Sequence, residues 1–522
     1  MPPKLAAVPP AVDARTLRSV ITASSVGTLI EWYDFYIFGS LAAILSTQFF
    51  PKDNLTAALL STLATFAAGF VVRPFGALVF GRLGDRVGRK YTFLVTLVLM
   101  GGSTFAIGLI PGYATIGFWA PLLVLLLRLV QGLALGGEYG GAATYVAEYA
   151  PVGRRGYYTS FIQTTATLGL FVSLGVILLT RQRLGVERFT DWGWRVPFLL
   201  SAGLVAVSIV IRLRMAESPL FAKLKQSGNV ATNPLAESFG KKQNLKMVLL
   251  ALFGATAGQG VIWYTGQFYA LSFIQKACQI EFVQSNVIVA VALLAATPFF
   301  IVFGGLSDRI GRKPILLAGM ALAVLTYRPI YDRMYALADI SQLAEYTDAR
   351  SIERTLTKTP NGTSQTTTKT TRIYADGTVL TETATGGLTG AKPSEVTSAV
   401  TLPVDKLLLM ILLVFVQVLY VTMVYGPIAA FLVELFPTRI RYTSMSLPYH
   451  IGNGVFGGLT PFIATALVAT ATSANKAVSG VASPGSMAKP YLAGLWYPIL
   501  VAGVCFVIGL VYLNNQNKPV AE

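Results

Sequence analysis

The chain has 522 residues, of which 54% are hydrophobic and only 12% charged, with a formal net charge of +17. Soluble domains carry about a quarter charged residues, so a soluble multidomain protein is excluded. A nucleic-acid partner is excluded too, because the basic residues cluster in short loops between apolar runs, the pattern of a bilayer protein.

Residues 1–19 are rich in Pro and Ala and read as an N-terminal tail without the apolar core of a cleavable signal peptide. Six apolar runs follow, at about 20–47, 57–80, 91–110, 119–150, 157–180 and 196–214, each long enough to span a membrane as a helix. A basic linker occupies 215–246. Six further runs lie at about 247–274, 285–304, 314–332, 404–436, 443–470 and 491–513, and 514–522 form a tail. Helices are the expected element, since isolated strands cannot satisfy their backbone in lipid. The fold class is therefore all-α, twelve transmembrane helices in two six-helix bundles, 20–214 and 247–513. Cys278 and Cys505 make neither a disulfide framework nor a metal spacing, and no metal or cofactor is expected.

The two bundles are copies. Gly81-Arg82-Leu83-Gly84-Asp85-Arg86-Val87-Gly88-Arg89-Lys90 returns as Gly304-Gly305-Leu306-Ser307-Asp308-Arg309-Ile310-Gly311-Arg312-Lys313, an offset of 223. Tyr139-Gly140, Glu148, Pro151 and Arg155 return as Tyr425-Gly426, Glu434, Pro437 and Arg441, an offset of 286. The 63 residues between these offsets form an insertion within 333–403. Internal repeats of this kind build many secondary transporters. Every second loop is basic: 81–90, 151–155, 212–246, 304–313 and 437–441 together carry +14, whereas the intervening loops are near neutral. The basic side, with both termini, is expected to be cytoplasmic, and the insertion outside. The insertion is rich in Thr; Arg372–Thr381 reads as a small hairpin around the tight turn of Asp376-Gly377, or else as a poorly ordered outer loop. Asn361-Gly362-Thr363 matches a glycosylation acceptor, a triplet that also arises by chance.

Charges kept in both copies read as architecture. Gly81, Asp85, Arg86, Gly88 and Arg89, with Asp308, Arg309, Gly311 and Arg312, are expected to form a gate of ion pairs between the halves. Orientation requires basic residues but no Asp among them. Glu148, Arg155, Glu434 and Arg441 belong to the same gate. Charges kept in one copy read as function. Arg73, Arg128 and Glu138 fall opposite Ala296, Val414 and Val424, and Glu31 and Asp34 opposite Ile262 and Thr265. A charge at mid-bilayer costs about 2.5–3.5 kcal/mol. The second copy is built without these five, so they are expected to face a central cavity. Glu31 and Asp34 lie within about 60° on one helical face, which they share with Gly27 and Phe38; Arg128, Gln131, Leu135 and Glu138 span about 80° of another. Asp34 is the leading proton-coupling candidate, with Glu31 and Glu138. Arg73 or Arg128 is the expected carboxylate clamp, released when a carboxyl takes up a proton. Gln131, Trp263, Tyr264, Gln267, Gln417 and Tyr420 are expected to line the solute site. His450, the one histidine, reads as a packing residue in the eleventh run or a proton relay. The glycines Gly132, Gly136, Gly137, Gly140 and Gly141 lie in an apolar run with no preceding strand, which reads as close helix packing rather than a phosphate loop.

The paired Gly-x-Leu-x-Asp-Arg-x-Gly-Arg-Lys loops resemble those of the major facilitator superfamily. Glu31-Trp32-Tyr33-Asp34-Phe35, Arg73-Pro74-Phe75-Gly76, Arg128-Leu129-Val130-Gln131-Gly132 and Arg439-Ile440-Arg441-Tyr442-Thr443 resemble a narrower group, the metabolite–proton symporters that include shikimate, α-ketoglutarate, citrate and proline/betaine permeases. The resemblance spans all the apolar runs, and the outer insertion departs from it. It implies proton-driven uptake of a small carboxylated or zwitterionic solute by alternating access, in a bacterial inner membrane, by a protein expected to be a monomer. No nucleophile–base set, metal cluster or nucleotide loop points to an enzyme. A non-transporting solute sensor would require a sizeable output domain, for which the tails and linker are too short.

Overall fold

The computed structural model describes residues 13–51, 55–358, 364–387, 395–477 and 488–514. Among the described residues eleven helices are long and apolar enough to cross a membrane: α2 Leu60–Arg86, α3 Arg89–Leu109, α4 Trp119–Tyr149, α5 Arg155–Leu184, α6 Arg195–Leu213, α7 Lys242–Lys276, α8 Phe282–Ile310, α9 Arg312–Ala338, α10 Val404–Leu435, α11 Arg441–Asn475 and α12 Pro490–Tyr512. The twelfth, α1, is a pair, Ala14–Ser40 and Ala42–Phe49, bent by 65°. The chain is thus a multi-pass membrane protein of twelve spans, as its apolar runs imply.

Within the first half α1 packs on α5, α3 on α4 and α6, and α2 on α4; in the second, α7 packs on α11 and α9 on α10 and α12. The α2–α4 contact is as close as the glycine pattern implies. A Cβ at Gly136 would sit 2.2 Å from the Arg73 carbonyl oxygen, and one at Gly132 would sit 2.2 Å from that of Gly69. Small residues let helix backbones meet where hydrophobic driving force between helices is weak. The halves meet through α5 against α8 and α2 against α11, pairs that the repeat relates to each other. Short π-helical stretches interrupt α7 at Leu252–Thr256 and Thr265–Tyr269, and α11 at Ile451–Gly457. Such bulges are frequent at functional sites.

The insertion departs from the all-α plan. It forms an antiparallel meander, β1 Ser351–Lys358, β2 Ser364–Ile373, β3 Val379–Gly387 and β4 Glu395–Thr401, in that order. The hairpin foreseen at Asp376-Gly377 is present between β2 and β3, but its loop is longer than a two-residue turn. Ile373 pairs with Val379, the Tyr374 N–H donates to the Thr378 carbonyl at 2.9 Å, and Gly377 takes φ +84°. That left-handed residue is the one a three-residue hairpin loop requires. Asn361-Gly362-Thr363 lies outside the described residues.

Candidate functional site

At the end of the bundle that carries the duplicated loops, each loop aspartate caps a helix of the opposite half. Asp85 closes α2 and accepts the backbone N–H groups of Tyr442 (3.2 Å) and Thr443 (2.8 Å), at the start of α11. Asp308 closes α8 and accepts those of Gly156 (2.8 Å) and Tyr157 (2.7 Å), at the start of α5. Helix starts expose unpaired N–H groups and positive dipole ends, which suits a carboxylate. Each aspartate is held by the arginine four residues on: Asp85–Arg89 at 2.9 Å and Asp308–Arg312 at 2.6 Å. Each arginine reaches a glutamate of its own half. Arg312 grips Glu434 through Nε at 3.2 Å and Nη2 at 3.0 Å, and Arg89 lies 3.6 Å from Glu148, which also holds Arg441 at 3.0 Å. Gly88 and Gly311 take φ +146° and +98° just before these arginines, a left-handed turn that would strain any other residue.

Three of the expected gate residues stand apart: Arg86 and Arg309 are exposed, and Arg155 donates to the Ala147 carbonyl at 3.2 Å. Gly81 is within the clasp, packed on the backbone of Thr443 across the α2–α11 contact. Arg86 and Arg309 point away because they lie one residue past the buried aspartate on the helix. The linker joins the clasp unforeseen. Glu217 accepts the N–H groups of Arg89 (3.2 Å) and Lys90 (3.4 Å), Ser218 donates to Glu148, and Phe221 lies 4.5 Å beneath the Arg89 guanidinium.

Between the halves lies a small cavity lined by residues of both. The first half lines it with Glu31, Trp32, Arg73 and Glu138, the second with Trp263, Tyr264, Tyr425, Tyr449, His450 and Asn453. Arg73 rests on Phe70 (4.1 Å) and Phe35 (4.6 Å), is buried, and makes no ion pair among the described residues. Glu31 and Glu138, which line the same cavity, both approach one guanidinium nitrogen, Arg212 Nη2, at 3.5 and 3.3 Å. Tyr139 stacks on Tyr449 at 3.5 Å, and the Tyr425 and Tyr449 hydroxyls are bonded at 2.7 Å. His450 meets Tyr449 edge-on, and its Nε2 has no hydrogen-bond partner among the described residues.

The five one-copy charges therefore do not all converge on the cavity. Asp34 is buried between α1 and α6 and accepts a hydrogen bond from Ser201 at 2.6 Å; it meets neither Arg73 nor Arg128 in an ion pair. The exchange foreseen between them lacks its geometry. Arg128 is buried among Phe35, Phe38 and Phe66 and donates to Gln131 at 2.7 Å, and Gln131 in turn donates to Thr104 at 2.7 Å. Neither Arg128 nor Gln131 lines the cavity. Nor do three residues foreseen on the second-half wall. Gln417 donates to the Leu413 carbonyl and lies against Met334, Tyr420 accepts from Thr326, and Gln267 sits in the second π-helical stretch of α7. Those three belong to other faces of their helices, which periodicity alone does not rank.

Sequence reasoning missed Arg212, counted as a loop charge next to the linker. One pointer to it was available: Gly27 shares a face with Glu31 and Asp34, and a Cβ there would lie 2.3 Å from Arg212 Nη2.

Known proteins give this geometry its context. Residues 20–248 match the family described as "Sugar (and other) transporter". The chain is 34% identical over 452 residues to the inner membrane metabolite transport protein YhjE of Escherichia coli, covering 86% of this chain and 87% of that one. It is 29% identical to the E. coli alpha-ketoglutarate permease, with 97% and 96% covered. It is 36% identical to the proline/betaine transporter of Salmonella typhimurium, where the match spans 59% of this chain and 63% of that one. The fold is shared with the proton:xylose symporter XylE, at a TM-score of 0.59 and 15% identity over 94% of this chain and 95% of that one. Related to YhjE along most of both chains, and built on twelve spans with duplicated loops, this protein belongs to the major facilitator superfamily and is a membrane transporter, not an enzyme.

Proposed function

We propose that the protein is a proton-coupled symporter that imports a small organic anion by alternating access across a bacterial inner membrane, with Arg73 as the carboxylate clamp. The basic loops place the duplicated-loop end and both termini in the cytoplasm in this reading. The reciprocal caps of Asp85 and Asp308 then form the inner gate, drawn closed. The observation that carries the reading is Arg73: a guanidinium on the wall of a cavity between two halves, resting on aromatic rings and free of any protein carboxylate among the described residues. Arg presents two parallel N–H groups that match a carboxylate. The protons are carried by carboxyls of the first half, from the set Asp34, Glu31 and Glu138, and the protein works as a monomer.

A zwitterion such as proline or betaine is the second reading, and the aromatic lining of the cavity favours it. Trp32, Trp263, Tyr264 and Tyr425 stand around the same cavity as Glu31 and Glu138. Aromatic faces attract quaternary ammonium groups. With Arg128 withdrawn from the cavity, one carboxylate clamp remains there, which suits a single carboxylate at one end of the solute.

The test is a panel of labelled organic acids and betaines in proteoliposomes, with and without an imposed pH difference. Accumulation of one of them driven by inward proton flow supports the reading. Equal uptake with and without the pH difference removes proton coupling, and no uptake of any carboxylate removes the clamp.

A further inference from the structure

Three charged side chains are buried together at the side of the cavity where α1, α4 and α6 meet, and their charges do not balance. Glu31, Glu138 and Arg212 are 1%, 2% and 1% exposed. Ionised, they sum to one negative charge in a place where an uncompensated charge is costly. The environment completes the picture. Arg212 Nη1 donates to the Phe93 carbonyl, and the guanidinium lies 3.4 Å from the Phe93 ring centroid, so the cation is fixed in place. Glu138 is well supplied with donors: Thr28 to Oε1 at 3.2 Å, Thr96 to Oε2 at 3.3 Å, and Arg212. Glu31 is not. Its Oε1 has Arg212 at 3.5 Å, and its Oε2 is buried with no donor among the described residues. An oxygen left in that state is satisfied by a proton, which turns the pair into a carboxyl beside a carboxylate.

We propose that Glu31 and Glu138 form one proton-binding unit over Arg212, two carboxyls sharing a single proton, and that Arg212 is the positioning residue that holds them together. Like charges close to one guanidinium cannot both ionise at ordinary cost, so the pair titrates as a unit rather than as two independent acids. The proton adds to a carboxylate oxygen as the cluster goes from −1 to neutral and leaves to water by the reverse step; no other bond changes. The other groups facing the pair are Asp34, one turn along α1; Arg73 on α2; Tyr139 on α4; and Tyr442, Tyr449 and His450 on α11. Of these only Asp34 and Arg73 bring a permanent formal charge when ionised, and they oppose each other. Arg212 also sits at the end of α6 that is tied to the closed gate: Lys90 donates to the Leu213 carbonyl at 3.0 Å. A change of charge in the pair is thereby felt where the halves are clasped.

This narrows the proton sites named in the functional reading above and rests on it only for the use to which the proton is put. The test needs no solute: infrared difference spectra of the purified full chain in lipid, titrated in pH, read the C=O stretch of a protonated buried carboxyl. The wild type is expected to show one band that is lost in both Glu31→Gln and Glu138→Gln and kept in Asp34→Asn; the buried Oδ2 of Asp34, which also lacks a donor among the described residues, gives a separate band of its own. The absence of any band that is lost in both glutamine variants, or the loss of that same band in Asp34→Asn, overturns the assignment. Arg212→Lys keeps the charge but not the geometry and is expected to move the midpoint by about one pH unit or more, a tenfold change in proton concentration. An unmoved midpoint overturns the positioning role. Should Arg212→Lys fail to fold, the charge-balanced double variant R212Q/E138Q carries the same test, since its remaining carboxyl is expected to titrate at least as far from the wild-type midpoint. A band behaving as expected in a protein that accumulates no solute in the vesicle panel leaves this unit standing and removes the symporter reading instead.

Discussion

Arg73 and Arg128 both rest on one ring, Phe35, at 4.6 and 4.5 Å, yet they have different prospects. Arg128 is enclosed by three rings and an amide; Arg73 alone lines the cavity. Hydrogen bonds to charged groups contribute about 1.5–3 kcal/mol each. Arg73→Ala is therefore expected to weaken binding of a carboxylate solute by about tenfold to a hundredfold, and that of a neutral analogue far less. Competition against labelled uptake measures both, and an equal loss for the two removes the clamp. The same logic at Asp34 gives the opposite expectation. Its partner is Ser201 rather than an arginine, so Asp34→Asn is expected to keep pH-driven accumulation while Glu138→Gln loses it. Vesicles with an imposed pH difference compare the two directly, and loss of accumulation in Asp34→Asn restores that residue to the proton path.

The elements that clasp the halves are helix ends, and their energetics are those of caps. Each aspartate accepts two backbone N–H groups of the other half. Such a carboxylate at a helix start contributes about 0.3–1 kcal/mol through the dipole alone. Asp308→Asn keeps the shape and removes the charge, a loss of up to about 1 kcal/mol, which is about fivefold in the ratio of closed to open forms. Alkylation of a cysteine introduced at Ser160, which packs against Gly304 across the α5–α8 contact, is expected to quicken by that factor; an unchanged rate means the cap does not hold the gate. The aspartates, their arginines and their glutamates were all legible in the sequence because the chain states them twice. Glu217 was not, since the linker occurs once and has nothing to be compared with.

At the scale of the molecule, the sheet is fastened to the second half. Val400 is bonded on both sides to the segment before α8, its N–H to the Gln279 carbonyl at 2.7 Å and its carbonyl to the Glu281 N–H at 2.9 Å. The Gln284 amide holds Leu402 through two bonds, 2.8 and 2.9 Å, and Lys406 pairs with Asp376. Leu380, Val400 and Leu402 are buried with the core of that half. These anchors lie far from the cavity lining, so replacing 351–400 by a short loop is expected to leave transport largely intact while lowering the melting temperature. A deletion that reaches the membrane but carries nothing assigns the sheet a part in the cycle.

What the sequence determined by itself is what repetition and hydropathy encode: twelve spans, two copies, the duplicated clasp and the presence of charge in one copy only. Those are properties of position along a chain, and a bilayer enforces them because every backbone group in lipid must be bonded within its own helix. The tertiary structure decided which charge meets which. Glu31 and Asp34 differ by about 60° around one helix, and that angle sends one to the cavity and the other to Ser201. Arg212 sits at the end of an apolar run, where an arginine that snorkels to the surface and one folded inward read alike. Only the packing of α6 against α1 and α3, with room made by Gly27, turns it inward to meet the two glutamates.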